Sequence, residues 1–205
     1  ESTLKLLYGT AYRAPSGYEL YYDTHGVTNH LGPERIRTAE VIGEQRFGQW
    51  VRASAVYFDY RIENLINQID QPNAVYGVGF ANANPAHAHG VEVSAEGRVS
   101  GATWRLGQSF QRITSSRYFE ETNAPKVLTR LSMTLPLVHG RGYLGLNGDY
   151  VSQRLTKDGS LPGRYLQHLN LSAPRIAGRL DLSLLVRNLF DTRYSDPGGE
   201  EHRQD

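Results

Sequence analysis

The stretch "RLDLSLLVRNLFDTRY" (residues 179–194) decides the fold. Up to Val186 it alternates strictly. Leu180, Leu182, Leu184 and Val186 fall on one face, and Arg179, Asp181, Ser183 and Arg187 make the other mostly polar. Such a period of two is the signature of a β-strand with one apolar and one wet face. After it come Asn-Leu-Phe-Asp, a tyrosine, a Pro-Gly-Gly turn and the charged "EEHRQD". No strand follows to pair with this one.

Working outward, eight earlier segments repeat the alternation, at about 3–13, 37–48, 50–61, 91–98, 102–115, 126–138, 141–154 and 163–173. In the first, Leu4, Leu6 and Tyr8 stand opposite Lys5, Gly9 and Ala11; in the fourth, Val91, Val93 and Ala95 stand opposite Glu92, Ser94, Glu96 and Arg98. No segment keeps a helical period, so no long helix is expected. The connections alternate too. "GQ", "SGA", "HGRG" and "PRIAG" are short, whereas those after the first, third, fifth and seventh strands are longer. In an antiparallel meander this puts short turns at one end of the sheet and long loops at the other, as in outer-membrane barrels.

The two faces point the same way. One carries Glu40, Glu44, Arg52, Glu92, Glu96, Arg105, Arg130, Asp149, Arg164 and Asp181; the other is Leu, Val and Ala with aromatics toward the strand ends. Trp50, Trp104 and Tyr143 follow short turns, where a girdle at one interface would lie, and Tyr57, Phe58, Tyr60, Phe110 and Tyr150 lie nearer the long loops. This favours a transmembrane barrel over a soluble β-sandwich, which alternates in the same way but buries its apolar face on a second sheet. Composition excludes less. Lys plus Arg number 22 against 21 Asp plus Glu, so no charge excess points to a nucleic-acid partner. Cysteine is absent, which removes disulfides and thiolate metal sites. No run approaches the roughly 20 apolar residues of a membrane helix.

Several phrases then resemble TonB-dependent outer-membrane receptors. They are "YGTAYRAPSGYELYY" (8–22), "LGPERIRTAEVIGEQRF" (31–47), "AVYFDYRIENLI" (55–66), "HAHGVEVSAEGRV" (87–99) and "VRNLFDTRY" (186–194). In order, they are similar to that family's "FRAP", "LKPE…E" and "F…I.DLI" segments, its "GVE" strand start and its "NLFD..Y" near the C-terminus. The resemblance implies an all-β, antiparallel transmembrane barrel of 22 strands with a plugged lumen, in the bacterial outer membrane. Residues 1–205 would be one C-terminal portion of that barrel, about nine strands, the thirteenth to the twenty-first. The plug, the TonB-contacting segment and the closing strand would lie outside the chain. The implied activity is uptake of a ferric siderophore or similar iron complex, energised by the TonB complex through the missing N-terminal region. Haem or cobalamin receptors of the same family are the alternatives; a passive porin and a soluble binding protein are rivals of other classes. Implied partners are the small-molecule ligand, outer-membrane lipid and the TonB complex. No cofactor and no enzymatic activity are expected.

"GRGYLG" (140–145) fits a dinucleotide fingerprint, but it reads as a turn entering a strand, without the βαβ setting that the fingerprint needs. "NLS" at Asn170 lies inside a strand. His87 and His89 share a strand face as metal ligands would, with no carboxylate near in sequence, and are expected to be polar residues above the bilayer. No catalytic set and no metal set is identified. The best functional stretch is the first long loop. Arg13, Tyr18, Tyr21, Tyr22, His25 and His30 are candidate ligand contacts there, because tyrosine faces and arginine donors suit bulky, anionic, often aromatic iron complexes. The loop equally fits a mere connection. Haem-receptor relatives carry a histidine between "FRAP" and "NPNL", the interval that holds His25. Tyr12 replaces the Phe, however, and "TNHL" (28–31) stands for "NPNL".

Overall fold

The computed structural model describes residues 1–21, 30–70, 77–82, 85–115, 122–137, 141–156, 159–176 and 178–196. Its elements in chain order are β1 (Ser2–Arg13), α1 (Gly17–Tyr21), β2 (Glu34–Phe47), β3 (Val51–Glu63), β4 (Ile66–Asp70), β5 (Val78–Asn82), β6 (Ala86–Val99), β7 (Ala102–Ser115), β8 (Val127–Leu137), β9 (Gly142–Val151), β10 (Arg154–Thr156), β11 (Gly159–Leu161), β12 (Arg164–Ile176) and β13 (Leu180–Val186). Nine of them form one sheet in the order β1-β2-β3-β6-β7-β8-β9-β12-β13, every neighbour antiparallel. These are the nine strands read from the sequence. The ribbons β4–β5 and β10–β11, in the second and fourth long loops, and the helix α1, in the first, were not read. Their three to five residues are too few to register a period.

Directly paired residues share a face, so the registers sort the side chains. On the apolar face lie Leu4, Leu6 and Tyr8 of β1 with Gly43, Val41 and Ala39 of β2. The row continues through Ala55 and Tyr57, Val93 and Val91, Leu106 and Phe110, Leu131, Leu146, Leu169 and Leu171, to Leu182 and Leu184. On the other face lie Lys5, Glu40, Glu44, Ser54, Arg52, Glu92, Glu96, Arg105, Asn147 and His168. Leu6 is 73% exposed and Leu184 58%, and no described side chain is fully buried. A sandwich would cover these leucines with a second sheet; here they stand open, as the lipid-facing side of a barrel wall does. The sheet is not closed: β1 and β13 are its edges. We call the apolar side the outer face and the polar side the inner face.

Turn chemistry fixes the short end. Val99 pairs with Ala102, and the two residues between them, Ser100 and Gly101, both take positive φ (49° and 83°). That is the mirror-image turn whose twist matches a two-residue hairpin. Two close approaches then lock the central strands. On the inner face Phe58 lies on Gly90, where an added Cβ would come within 2.6 Å of the ring and 2.3 Å of the Phe110 carbonyl oxygen. On the outer face Trp104 lies on Gly97, whose Cβ would come within 2.8 Å of the indole. An aromatic over a cross-strand glycine pins the register. These positions also correct the expected belts. Trp104, Tyr57, Phe110 and Tyr150 do lie on the outer face, but Phe58, Tyr60 and Tyr143 lie on the inner one. Gly142, not Tyr143, is the first outer residue of β9, paired with Leu137.

Candidate functional site

At the long-loop end of the inner face, Arg13 closes β1 and forks between two carboxylates. Its Nη1 and Nη2 donate to Glu19 Oε2 and Oε1, both at 2.9 Å, and its Nε donates to Glu34 Oε2 at 2.5 Å. Glu34 opens β2 directly across from Arg13, and its second oxygen accepts the backbone N–H of Ile66 at 2.8 Å. One carboxylate therefore ties β1, β2 and the start of the β4–β5 ribbon together. Glu19 belongs to α1. Its backbone N–H donates to Ser16 Oγ at 3.2 Å while the Ser16 N–H donates back to Glu19 Oε2 at 2.7 Å. This reciprocal capping box starts the helix, and the Ser-x-x-Glu spacing at 16–19 was its sequence signal. The Arg13 hydrogen bonds, followed by that from the Ser16 backbone, hold the Glu19 carboxyl down at about 2.

This clamp presents the tyrosines. Tyr18 and Tyr21 sit on α1, 62% and 64% exposed, and Tyr18 meets Phe80 of β5 edge to face at 5.7 Å between ring centroids. Asn82, paired with Ile66, holds the base of that ribbon: its Nδ2 donates to the carbonyls of Gly32 and Asn64, and its Oδ1 accepts the Gly32 N–H at 2.7 Å. His30 is exposed on the segment entering β2. Tyr22 and His25 lie outside the described residues. The structure therefore brings Arg13, Tyr18 and Tyr21 to one corner, with Arg13 acting as the anchor of the helix. Glu19, Glu34 and Phe80 complete that corner. The sequence reading missed them, since the Arg13–Glu34 pairing follows only from the β1–β2 register.

Two other inner-face features matter. Tyr60 donates a short hydrogen bond to Glu40 across β2 and β3. Nearer the short turns, opposite charges alternate across five strands: Lys5–Glu44 at 2.8 Å, Glu44–Arg52 at 3.3 Å, Arg52–Glu96 at 4.0 Å and Glu96–Arg105 at 2.9 Å. These groups are half exposed, so the ladder suits a watery lumen and adds little stability pair by pair. His87 does have a carboxylate partner: its Nε2 lies 2.6 Å from Asp59 Oδ2 on the neighbouring strand, and its ring lies tilted by 33° against that of His89, 4.9 Å between centroids. No group able to hold a metal ion occurs among the described residues.

The "NLFD" motif proves to be a clasp. Asn188, at φ 49°, accepts the Thr192 N–H and donates to the Thr192 carbonyl, both at 3.0 Å, while its own N–H donates to His168 Nδ1 at 3.2 Å. The chain turns there and lays Tyr194 under the Arg164 guanidinium, 4.1 Å from the ring centre. Asp196 then reaches Arg164 at 2.8 Å and Arg154 at 3.2 Å.

Comparison with known proteins agrees with this geometry. The family described as TonB dependent receptor-like, beta-barrel matches residues 2–189. Among solved structures, the FrpB iron transporter from Neisseria meningitidis superposes with a TM-score of 0.72 at 19% identity, covering 94% of this chain and 33% of that one. The copper transporter OprC gives 0.75 at 20% identity, covering 95% and 32%. The pyoverdine outer membrane receptor FpvA from Pseudomonas aeruginosa PAO1 gives 0.74 at 17% identity, covering 94% and 30%. The chain thus spans about a third of the length of each. No curated protein matches it in sequence.

Proposed function

Since the chain belongs to the TonB-dependent receptor β-barrel family of the bacterial outer membrane, we propose that it is barrel wall and loops of an active importer of a ferric siderophore or similar iron complex, energised through TonB. The observation that carries the ligand reading is the corner at the long-loop end. There Tyr18 and Tyr21 stand exposed on a helix held to the wall by the Arg13 fork. Pre-organised aromatic faces at a lumen mouth suit a bulky, partly aromatic complex, because little ordering remains to be done on binding.

The test uses the complete receptor on cells with confirmed surface expression. Tyr18, Tyr21 and Tyr22 are replaced together by alanine, and separately His25 and His30. Binding of a ferric siderophore should fall at least about tenfold in the tyrosine variant and change little in the histidine variant, one aromatic contact being worth roughly 1 kcal/mol. A haem carrier would instead lose binding with His25, since axial ligation needs an imidazole. Uptake should stop when the energy-coupling complex is deleted, whereas a passive porin would keep its flux. Unchanged binding of both ligands in both variants would refute a role for this loop.

A further inference from the structure

We propose that Arg35, Arg37 and Arg61, on the outer face at the long-loop end, form a binding site for the phosphate groups of outer-leaflet lipid. The position comes first. On β3 the outer face reads Val51, Ala53, Ala55, Tyr57 and then Asp59, Arg61 and Glu63; on β2, Val41 and Ala39 give way to Arg37 and Arg35. From Val51 to Asp59 the tilted strand climbs about 21 Å, close to the roughly 25 Å apolar band of such barrels. The arginines therefore stand at the height of the extracellular headgroups, on the side that faces lipid rather than lumen.

Their arrangement is short of negative charge. Arg37 and Arg61 are directly opposed across β2 and β3, and like charges so placed repel unless an anion lies between them. Two carboxylates stand near three arginines, and one of the two is shared with a histidine. Glu63 reaches Arg37 at 3.4 Å, and Asp59 reaches Arg61 at 3.2 Å but also holds His87. Arg35 faces Glu63 in register yet has no ion pair among the described residues. On the next strand His87 and His89 lie on the same face. Thr10 and Tyr12 of β1 are paired with Arg37 and Arg35 on that face, which puts hydroxyl donors next to two guanidiniums. Guanidinium forks fit phosphate oxygens in pairs, and the molecules that surround a barrel at this height are lipids.

The inference rests on membrane placement and is independent of the transported ligand. To test it, the complete receptor in neutral detergent is titrated with bisphosphorylated lipid A, with its dephosphorylated form and with phosphatidylcholine, and bound lipid is counted by native mass spectrometry. We expect tight, salt-sensitive binding of the bisphosphorylated lipid alone. It should weaken at least about tenfold in Arg35→Gln/Arg37→Gln/Arg61→Gln, while Arg105→Gln on the inner face binds as wild type does. Melting temperatures without lipid show that each variant is folded, and siderophore uptake per inserted receptor follows the transport reading separately. Equal affinity in the triple variant, or equal affinity for the dephosphorylated lipid, would overturn the proposal, as would capture of an acidic protein at this patch in place of lipid.

Discussion

Leu184→Arg tests the face assignment most directly, because the adjacent Ser183→Arg places the same side chain one residue away on the opposite face. Leu184 is 58% exposed on the outer face and is paired with Leu171. It lies four residues past Leu180, where β13 leaves the turn at 178–179. At about 3.4 Å per residue and a tilt near 40°, that places it about 10 Å above the short-turn end, close to the middle of a band roughly 25 Å tall. An arginine there should cost about 2–4 kcal/mol, and Leu182→Arg, nearer the interface, less. Ser183 faces the lumen, where its Oγ donates to Asn170 Oδ1 at 3.0 Å. Ser183→Arg loses that bond, worth about 1 kcal/mol, and leaves the new charge in water. Urea unfolding of the complete receptor in lipid vesicles, followed by tryptophan fluorescence, would measure the gap. Equal losses at 183 and 184, or a larger loss at 183, would refute the assignment.

Gly90→Ala should destabilise by about 1–3 kcal/mol in the same assay, since the new methyl meets the Phe110 carbonyl as well as the Phe58 ring and cannot be relieved by moving one side chain. The Glu19 carboxyl, held at about 2 by Arg13 and Ser16 rather than at its usual 4.5, binds its proton late. Its contribution to docking α1 is therefore complete above the ordinary carboxylate value and is lost as pH falls from there through about 2. Exchange of the Leu20 amide, bonded to the Ser16 carbonyl, should accelerate over that window relative to Glu19→Gln. On the outer face Thr129 donates to Gln108 Oε1 at 2.7 Å and Gln108 donates to the Leu128 carbonyl at 3.0 Å. Thr129→Val alone should cost about 1–3 kcal/mol by leaving an acceptor unpaired, whereas Thr129→Val with Gln108→Leu should restore most of it.

What the sequence made legible is what is local. Leu180 to Val186 and Val91 to Ala95 state their faces by alternation alone, and the lengths of the connections state which end is which. Contacts set by register were not legible. Asp59 and His87 stand 28 residues apart, and Arg13 and Glu34 stand 21 apart; each pair meets only because neighbouring strands are aligned as they are. The β6 strand reaches back from the alternating Val91–Arg98 segment to Ala86 and takes in His87 and His89, a start that "AHAHG" does not mark by apolar alternation. Tyr143 was placed on the wrong face because one residue of turn length decides parity, and the turn before it ends at Arg141.

That sensitivity to parity explains why aromatics lie on glycines in the middle of the sheet. A slip of one residue between β3 and β6 would carry Arg52 out of the luminal ladder toward lipid and turn Arg61 toward the lumen. Alternation alone resists such a slip only weakly where the outer residues are small, as Ala53 and Ala55 are. Phe58 on Gly90 and Trp104 on Gly97 act on opposite faces and at different heights of β6. A shift on either side of β6 would drive a ring into a side chain in place of a glycine. The inner ladder keeps its charges in water and the outer arginines stay above the apolar band because these two contacts hold β3, β6 and β7 in one register.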